Sequence, residues 1–481
     1  MLVLVNTNRM QPLVGPIGLD YVAGAARRAG IETAVVDLAL AADPAAALRE
    51  HFARQDARLV GISFRNADDC FWPSARWFAP DLAQMVRTVR GLTDAPVVLG
   101  GIGLSIFAAE LLAYTGADSA VRGDGERAVP ALLAELGGRR RLERVPGLVW
   151  REGGAVRRNP PAWGETADVP TARDAVDNAA YFRLGGQGGV ETKRGCPRRC
   201  LYCADPLAKG AASRLRPAAD VADEFASLLG QGVDVLHLCD AEFNVPRDHA
   251  LAVCEELARR SLGERVRWYA YLAATPFDAP LAAAMRRAGC VGINFTGDSA
   301  SDAMLATYRQ PHRRDDLAAA VRLCRQNGIA VMIDLLLGGP GETPDTVRET
   351  IAFVKHIGPD CAGAALGVRV YPGTGMAEAV LAEGPPESNP NLRRRYEGPV
   401  EFFRPTFYIA RALGDRPAEL VSDFVGGDKR FFEPAPEVDA GAAPGDASVG
   451  YNYNDNAPLV EAIAAGARGA YWDILRRMRG A

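Results

Sequence analysis

The sequence predicts an α/β protein made of two successive parallel sheets and a smaller tail. Three observations carry that reading. Apolar strands alternate with helical periodicity over residues 1–140, as in a Rossmann-like, doubly wound parallel sheet with helices on both faces. A second series of six βα units spans 189–385, as in a (β/α)6 partial TIM barrel, where chemistry sits at the C-terminal ends of the strands. Residues 386–481 turn Pro- and Gly-rich with paired aromatics, and read as a small α-rich C-terminal cap or substrate domain. The 481 residues suit about three domains.

In chain order, Leu2–Val5 is the first strand and Gly18–Ala29 a helix that stops at Gly30. Thr33–Asp37, Leu59–Ser63, Pro96–Leu99 and Ser119–Val121 are the next strands. Residues 141–188 are Arg-, Gly- and Pro-rich and read as a linker, with Val145–Trp150 as one strand of a small hairpin. The barrel strands are Val190–Thr192, Val235–Cys239, Arg267–Leu272, Gly292–Phe295, Val331–Leu337 and Ala364–Val370. Pro458–Arg479 is helical by period.

Composition narrows the classes. Hydrophobic residues make up 48% and charged residues 24%, which excludes a disordered or fibrous chain. Lys plus Arg is 55 against 59 acidic residues, a net charge of -4. That balance offers no basic excess for a nucleic-acid partner. No apolar run reaches the roughly 18 residues that span a bilayer. The start reads as a strand rather than a signal peptide. A cytoplasmic protein with no membrane partner is expected. Six of the nine cysteines are scattered, and a chain of this length needs no disulfide framework.

The other three cysteines are clustered. Gly195-Cys196-Pro197-Arg198-Arg199-Cys200-Leu201-Tyr202-Cys203 has the spacing CX3CX2C directly after the first barrel strand. Structural zinc would want a fourth ligand, and the next candidates, His237 and Cys239, are distant in sequence. Three thiolates leave one metal position open, as in a [4Fe–4S] cluster able to bind a chelating molecule. Later strands end in Cys239-Asp240-Ala241-Glu242, Asp298-Ser299-Ala300-Ser301-Asp302, Leu337-Gly338-Gly339-Pro340-Gly341-Glu342-Thr343 and Tyr371-Pro372-Gly373-Thr374, and Tyr308-Arg309-Gln310-Pro311-His312 follows a helix.

Together, in this order, these motifs resemble the radical S-adenosylmethionine (SAM) superfamily. The resemblance implies that Cys196, Cys200 and Cys203 ligate the cluster and that SAM chelates its open iron. Electron transfer to SAM then yields a 5'-deoxyadenosyl radical. Tyr202 would sit beside the cluster, and Asp240 and Glu242 would take the SAM ammonium. Asp298, with Ser299, would meet the ribose, Arg309 would pair the SAM carboxylate, and Gly338 would admit the adenine. From the residues alone, a solvated turn, a helix N-cap at Ser299 and a surface Arg309 remain open.

The first domain carries glycine turns of its own. They are Gly15-Pro16-Ile17-Gly18-Leu19, Val60-Gly61-Ile62-Ser63, Val98-Leu99-Gly100-Gly101-Ile102-Gly103 and Arg122-Gly123-Asp124-Gly125-Glu126. Before a radical SAM barrel, this series resembles the cobalamin-binding domain of the B12-dependent subfamily. It implies that Gly18, Ser63, Gly100, Gly101, Gly123, Asp124, Gly125 and Glu126 lie against the corrin and its nucleotide tail. The Asp-x-His-x-x-Gly motif that supplies a cobalt ligand elsewhere is absent, and the only histidine before the barrel is His51. Cobalt should therefore lack a histidine ligand. Arg65, in Phe64-Arg65-Asn66, would sit under the lower face. As a permanent cation it would disfavour a sixth ligand and ease transfer of the methyl group, which makes it the catalytic candidate. A surface Arg65 is the alternative.

The resemblance covers residues 1–385 and implies a cobalamin-dependent radical SAM C-methyltransferase. A methyl group would pass from SAM through cobalt to a carbon of a small molecule, amino acid or peptide. An electron donor such as flavodoxin or ferredoxin is implied. Ring closure or oxidative rearrangement without methyl transfer, and a non-catalytic cobalamin and iron–sulfur sensor, are the alternatives. Substrate would enter between corrin and cluster, where Tyr451-Asn452-Tyr453-Asn454-Asp455-Asn456 could stack and hydrogen-bond. Cys239 and Cys361 read as ordinary buried cysteines.

Overall fold

The computed structural model describes residues 1–161, 163–164, 166–436 and 452–480. The first sheet contains β1 (Leu2–Asn6), β2 (Thr33–Asp37), β3 (Leu59–Ser63), β4 (Val97–Gly100), β5 (Ser119–Val121), β6 (Leu148–Glu152) and β7 (Ala155–Arg158). Their spatial order is β2-β1-β3-β4-β5-β6-β7. β1 to β5 are parallel, and β6 and β7 extend the edge antiparallel. β1, β3 and β5 are almost wholly buried, because helices cover both faces of a parallel sheet. The sheet runs past the expected boundary at 140, since the hairpin around Trp150 pairs with β5.

The second sheet begins at β8 (Gly188–Val190). A two-stranded ribbon, β9 (Lys193–Arg194) with β10 (Arg214–Leu215), carries the cysteine loop. β11 (Val235–Leu238), β12 (Arg267–Ala273), β13 (Cys290–Asp298), β14 (Ala330–Leu337) and β15 (Cys361–Leu366) follow in parallel. The chain beyond β15 leaves the barrel. β16 (Val368–Arg369), β17 (Leu392–Arg394) and β18 (Thr406–Tyr408) make a small antiparallel sheet, and β19 (Phe431–Phe432) returns as a seventh barrel strand beside β15. The order β19-β15-β14-β13-β12-β11-β8 leaves the barrel open.

The tail packs into the barrel. Phe432, Leu459, Ile463 and Trp472 share one core with Val235, Tyr269, Met332 and Cys361, and so floor the barrel interior. The stretch expected as one helix over Pro458–Arg479 is two helices, Ala457–Ala464 and Tyr471–Arg479. Gly466 (φ +103) and Gly469 (φ +141) break it; side-chain-bearing residues seldom adopt those angles. No helix among the described residues is long and apolar enough to cross a membrane.

Candidate active site between the two sheets

The carboxyl ends of the first sheet face the barrel across a cavity of about 600 Å³. Gly18, Ser63, Arg65, Gly100, Gly101, Gly123, Asp124, Gly125 and Glu126 all line it. Opposite them stand His237, Cys239 and Tyr271, with Tyr453 and Tyr471 from the tail. Tyr451 lies outside the described residues.

The glycines differ in kind. A Cβ at Gly18 or Gly100 would meet nothing within 4 Å, so these positions leave open space for a ligand. A Cβ at Gly101 (φ +108) would lie 2.5 Å from the Phe64 carbonyl oxygen. At Gly123 (φ +89) it would lie 2.9 Å from Trp163 Nε1, and at Gly125 2.7 Å from Val22. Those three glycines answer to packing of the chain itself. Asp124 and Glu126 carry ion pairs as well. Arg194 donates to Glu126 at 2.8 and 3.0 Å and pairs with Asp124 at 3.2 Å, and Arg214 also pairs with Asp124. Buried guanidinium groups neutralise these carboxylates, so the two side chains also tie the barrel to the first domain while their positions line the cavity.

Glycine-lined open space bordered by tyrosines suits a flat macrocycle such as the corrin. His51 lies in the helix Pro44–Arg54 and does not line the cavity. Arg65 has no ion pair among the described residues, and its charge reaches Cys239, Tyr271 and Tyr471.

The cysteine loop is held by its backbone. Gly195 has φ +80, and a Cβ there would meet the Ala212 carbonyl oxygen at 2.2 Å. Cys196 N–H donates to Gly210, Leu201 N–H to Tyr308, and Met376 N–H to the Leu201 carbonyl. Burial lifts all three thiols, Cys200 to about 12 with Asp298 and Glu242 adding to the effect. Iron reverses that balance, because a coordinating metal deprotonates a thiol. Among the described residues no three His, Cys, Asp or Glu side chains converge on a single-ion position. A four-iron cluster spreads its thiolates over separate irons, so three thiols spaced along a loop fit it.

Around the loop, Glu242 Oε1 accepts from Thr296 at 2.9 Å while Oε2 is buried with no partner among the described residues. Burial pushes this carboxyl up to about 7. Asp240, expected beside it, is occupied by the chain. Its oxygens accept from Thr192 N–H at 2.8 Å, Thr192 O–H at 2.5 Å and Lys193 N–H at 3.3 Å, so it braces the entry to the loop. Asp298 (φ +55) accepts from Tyr202 O–H at 2.7 Å and from Gln310. Gln310 also lies 3.4 Å from Cys200 Sγ. Ser299 is engaged by the chain itself. It is fully buried, and its hydroxyl bonds Thr350 at 2.8 Å and accepts from Ser301 N–H, bracing the helix Pro344–Ile357. Arg309 (φ +60) is exposed, with its guanidinium against Gly375. Gly338 (φ +95) donates its N–H to Glu342 at 2.9 Å.

Sequence reasoning gave no role to Gln310, although it lies in a quoted motif. Nor did it find Lys193, buried beside Cys196 and Glu242, whose positive charge favours their ionised forms. Cys361 is buried in the barrel floor as expected, whereas Cys239 lines the cavity.

Comparison with known proteins agrees with this geometry. Residues 190–354 match the Radical SAM superfamily and residues 4–133 the B12 binding domain. Tryptophan 2-C-methyltransferase of Streptomyces laurentii is 30% identical over 79% of this chain and 74% of its own. The radical SAM methyltransferase TsrM of Kitasatospora setae, solved with tryptophan and a SAM analogue, is 29% identical with a TM-score of 0.90 over 99% of each chain. The cobalamin-dependent enzyme OxsB shares the fold at 15% identity, with a TM-score of 0.71 over 85% of this chain and 64% of its own. The cofactors are cobalamin, a [4Fe–4S] cluster and SAM, and the substrate is a small molecule. The chain belongs to the cobalamin-dependent radical SAM C-methyltransferases.

Proposed function

We propose that this enzyme methylates a ring carbon of tryptophan or a close indole amino acid. The supporting observation is the single cavity in which the glycine turns of the first sheet meet the barrel and three tyrosines. Tyrosine rings offer flat apolar faces with polar tips, which suits an amphipathic aromatic substrate. The two relatives named for tryptophan support the same choice.

When bound, cobalamin supplies the methyl carrier and the cluster an open iron for SAM. Cys196, Cys200 and Cys203 hold the cluster. Glu242 takes the SAM ammonium on its open oxygen and Arg309 the SAM carboxylate. Asp298, aligned by Tyr202 and Gln310, faces the ribose hydroxyls, and Gly338 admits the adenine. Gly18, Ser63 and Gly100 seat the corrin. Arg65, on the same cavity wall, would stay protonated beside the corrin and could not act as a cobalt ligand. A flavodoxin- or ferredoxin-like donor reduces the loaded enzyme.

The test is anaerobic reconstitution with iron, sulfide and hydroxocobalamin, then incubation with SAM and L-tryptophan. The expected result is near-stoichiometric cobalamin, about four irons per chain and a tryptophan product carrying one added methyl on carbon. Tryptophan recovered unchanged while another small molecule is methylated would overturn the substrate assignment.

A further inference from the structure

Deeper in the barrel lie two buried acceptors that the cofactor assignments leave unused. Asn294 on β13 is 2% exposed and donates its amide to Asp334 Oδ2 on β14 at 2.7 Å. Asn294 Oδ1 and Asp334 Oδ1 are buried and have no donor among the described residues. Leaving a buried acceptor unpaired costs about 1–3 kcal/mol, so two on adjacent side chains call for a ligand that donates to both. No Arg or Lys pairs with Asp334 among the described residues.

The surroundings define that ligand. Beneath is the apolar floor of Tyr269, Met332, Cys361 and Trp472. Tyr271 and Tyr453 line the cavity, and each feels the charge of Asp334. His237 packs on Tyr271 at 5.0 Å, and burial pushes it down to about 4, so it supplies no cation. Burial pushes Asp334 up to about 7, a bias that a bound cation would reverse. A carboxylate, an amide oxygen and aromatic faces match the three donors of a primary ammonium.

We propose that Asn294 and Asp334 form the pocket for the amino group of the substrate, so that the enzyme takes free primary amines. This rests on the cavity being the substrate site and on the amino group reaching past Tyr271 and Tyr453, because Asn294 and Asp334 lie below the residues that line it. An amide nitrogen, as inside a peptide or an N-acylated amino acid, has too few donors and carries no charge. Methylation would therefore precede any step that acylates this nitrogen.

Binding to the cobalamin- and cluster-loaded enzyme tests the proposal, with L-tryptophan, tryptamine, phenethylamine, N-acetyl-L-tryptophan and indole-3-propionate as probes. The three amines should bind about tenfold or more tightly than the other two, as expected for loss of a charged hydrogen bond. Asp334→Asn should erase that preference without changing affinity for SAM or indole-3-propionate. Wild-type enzyme that binds N-acetyl-L-tryptophan as tightly as L-tryptophan overturns the proposal, and needs no variant. So does an Asp334→Asn protein that loses SAM, or one that weakens on all probes alike. If phenethylamine binds through Asp334 while neither indole amine binds, the amine pocket stands and the indole assignment fails.

Discussion

Gly100 and Gly101 are neighbours in sequence with opposite constraints. Open space beyond Gly100 means that Gly100→Val keeps the fold and fills the cavity. Hydroxocobalamin affinity should fall about tenfold or more, the equivalent of roughly 1.4 kcal/mol, while cluster iron stays unchanged. Gly101→Val meets both a left-handed φ and the Phe64 carbonyl, so it should yield insoluble or unfolded protein. Arg65→Ala should alter the absorbance of the cobalamin-loaded enzyme and slow methyl transfer; an unchanged spectrum with an unchanged rate would return Arg65 to a passive wall. The sequence exposed the chemistry of such residues better than their partners. Asp240 and Glu242 are both acidic and two residues apart, yet Thr192 claims one and leaves the other open. Asp124 and Glu126 look like ligand groups until Arg194 and Arg214 reach them from the barrel. Those contacts span long stretches of chain, and no local pattern encodes them.

At the scale of elements, apolar parallel strands were legible because each is a short buried run between turn residues. β19 was not, since two residues carry no period, and it pairs only because the tail brings it beside β15. The tail helix was misjudged at its middle, where Gly466 and Gly469 stop it and let Trp472 turn under the barrel. Trp472 is 2% exposed and packs edge-on against Tyr269 at 5.9 Å. Trp472→Ala should therefore cost about 3–5 kcal/mol, the range for removing a large buried aromatic. Urea unfolding followed by circular dichroism measures it. A loss within about 0.5 kcal/mol, typical of surface positions, would mean that the tail does not floor the barrel.

The whole molecule depends on a charge network that belongs to no cofactor motif. Arg173, from the segment read as a linker, bonds Asp20 of the first domain at 2.6 Å and Glu224 of the barrel at 2.7 Å. All three side chains are essentially fully buried. Tyr21 donates to Glu224 at 2.7 Å, and Arg173, Arg194 and Arg216 surround its ring. Removing one partner of a buried pair strands the other charge and costs about 3–5 kcal/mol, whereas replacing both by apolar groups is often neutral. Arg173→Met should thus destabilise strongly, and Asp20→Leu/Arg173→Met should recover much of the loss, because Arg216 still compensates Glu224 at 2.6 Å. Chemical denaturation of the two variants decides it: a double variant less stable than the single would refute the bridge. The recovered double variant then separates stability from geometry. The cavity proposed for the corrin is walled by both domains, so an enzyme that folds normally but retains less hydroxocobalamin would show that Arg173 sets how the two sheets face each other. Full retention would assign the network to stability alone and leave domain alignment to the Arg194 and Arg214 pairs nearer the cysteine loop.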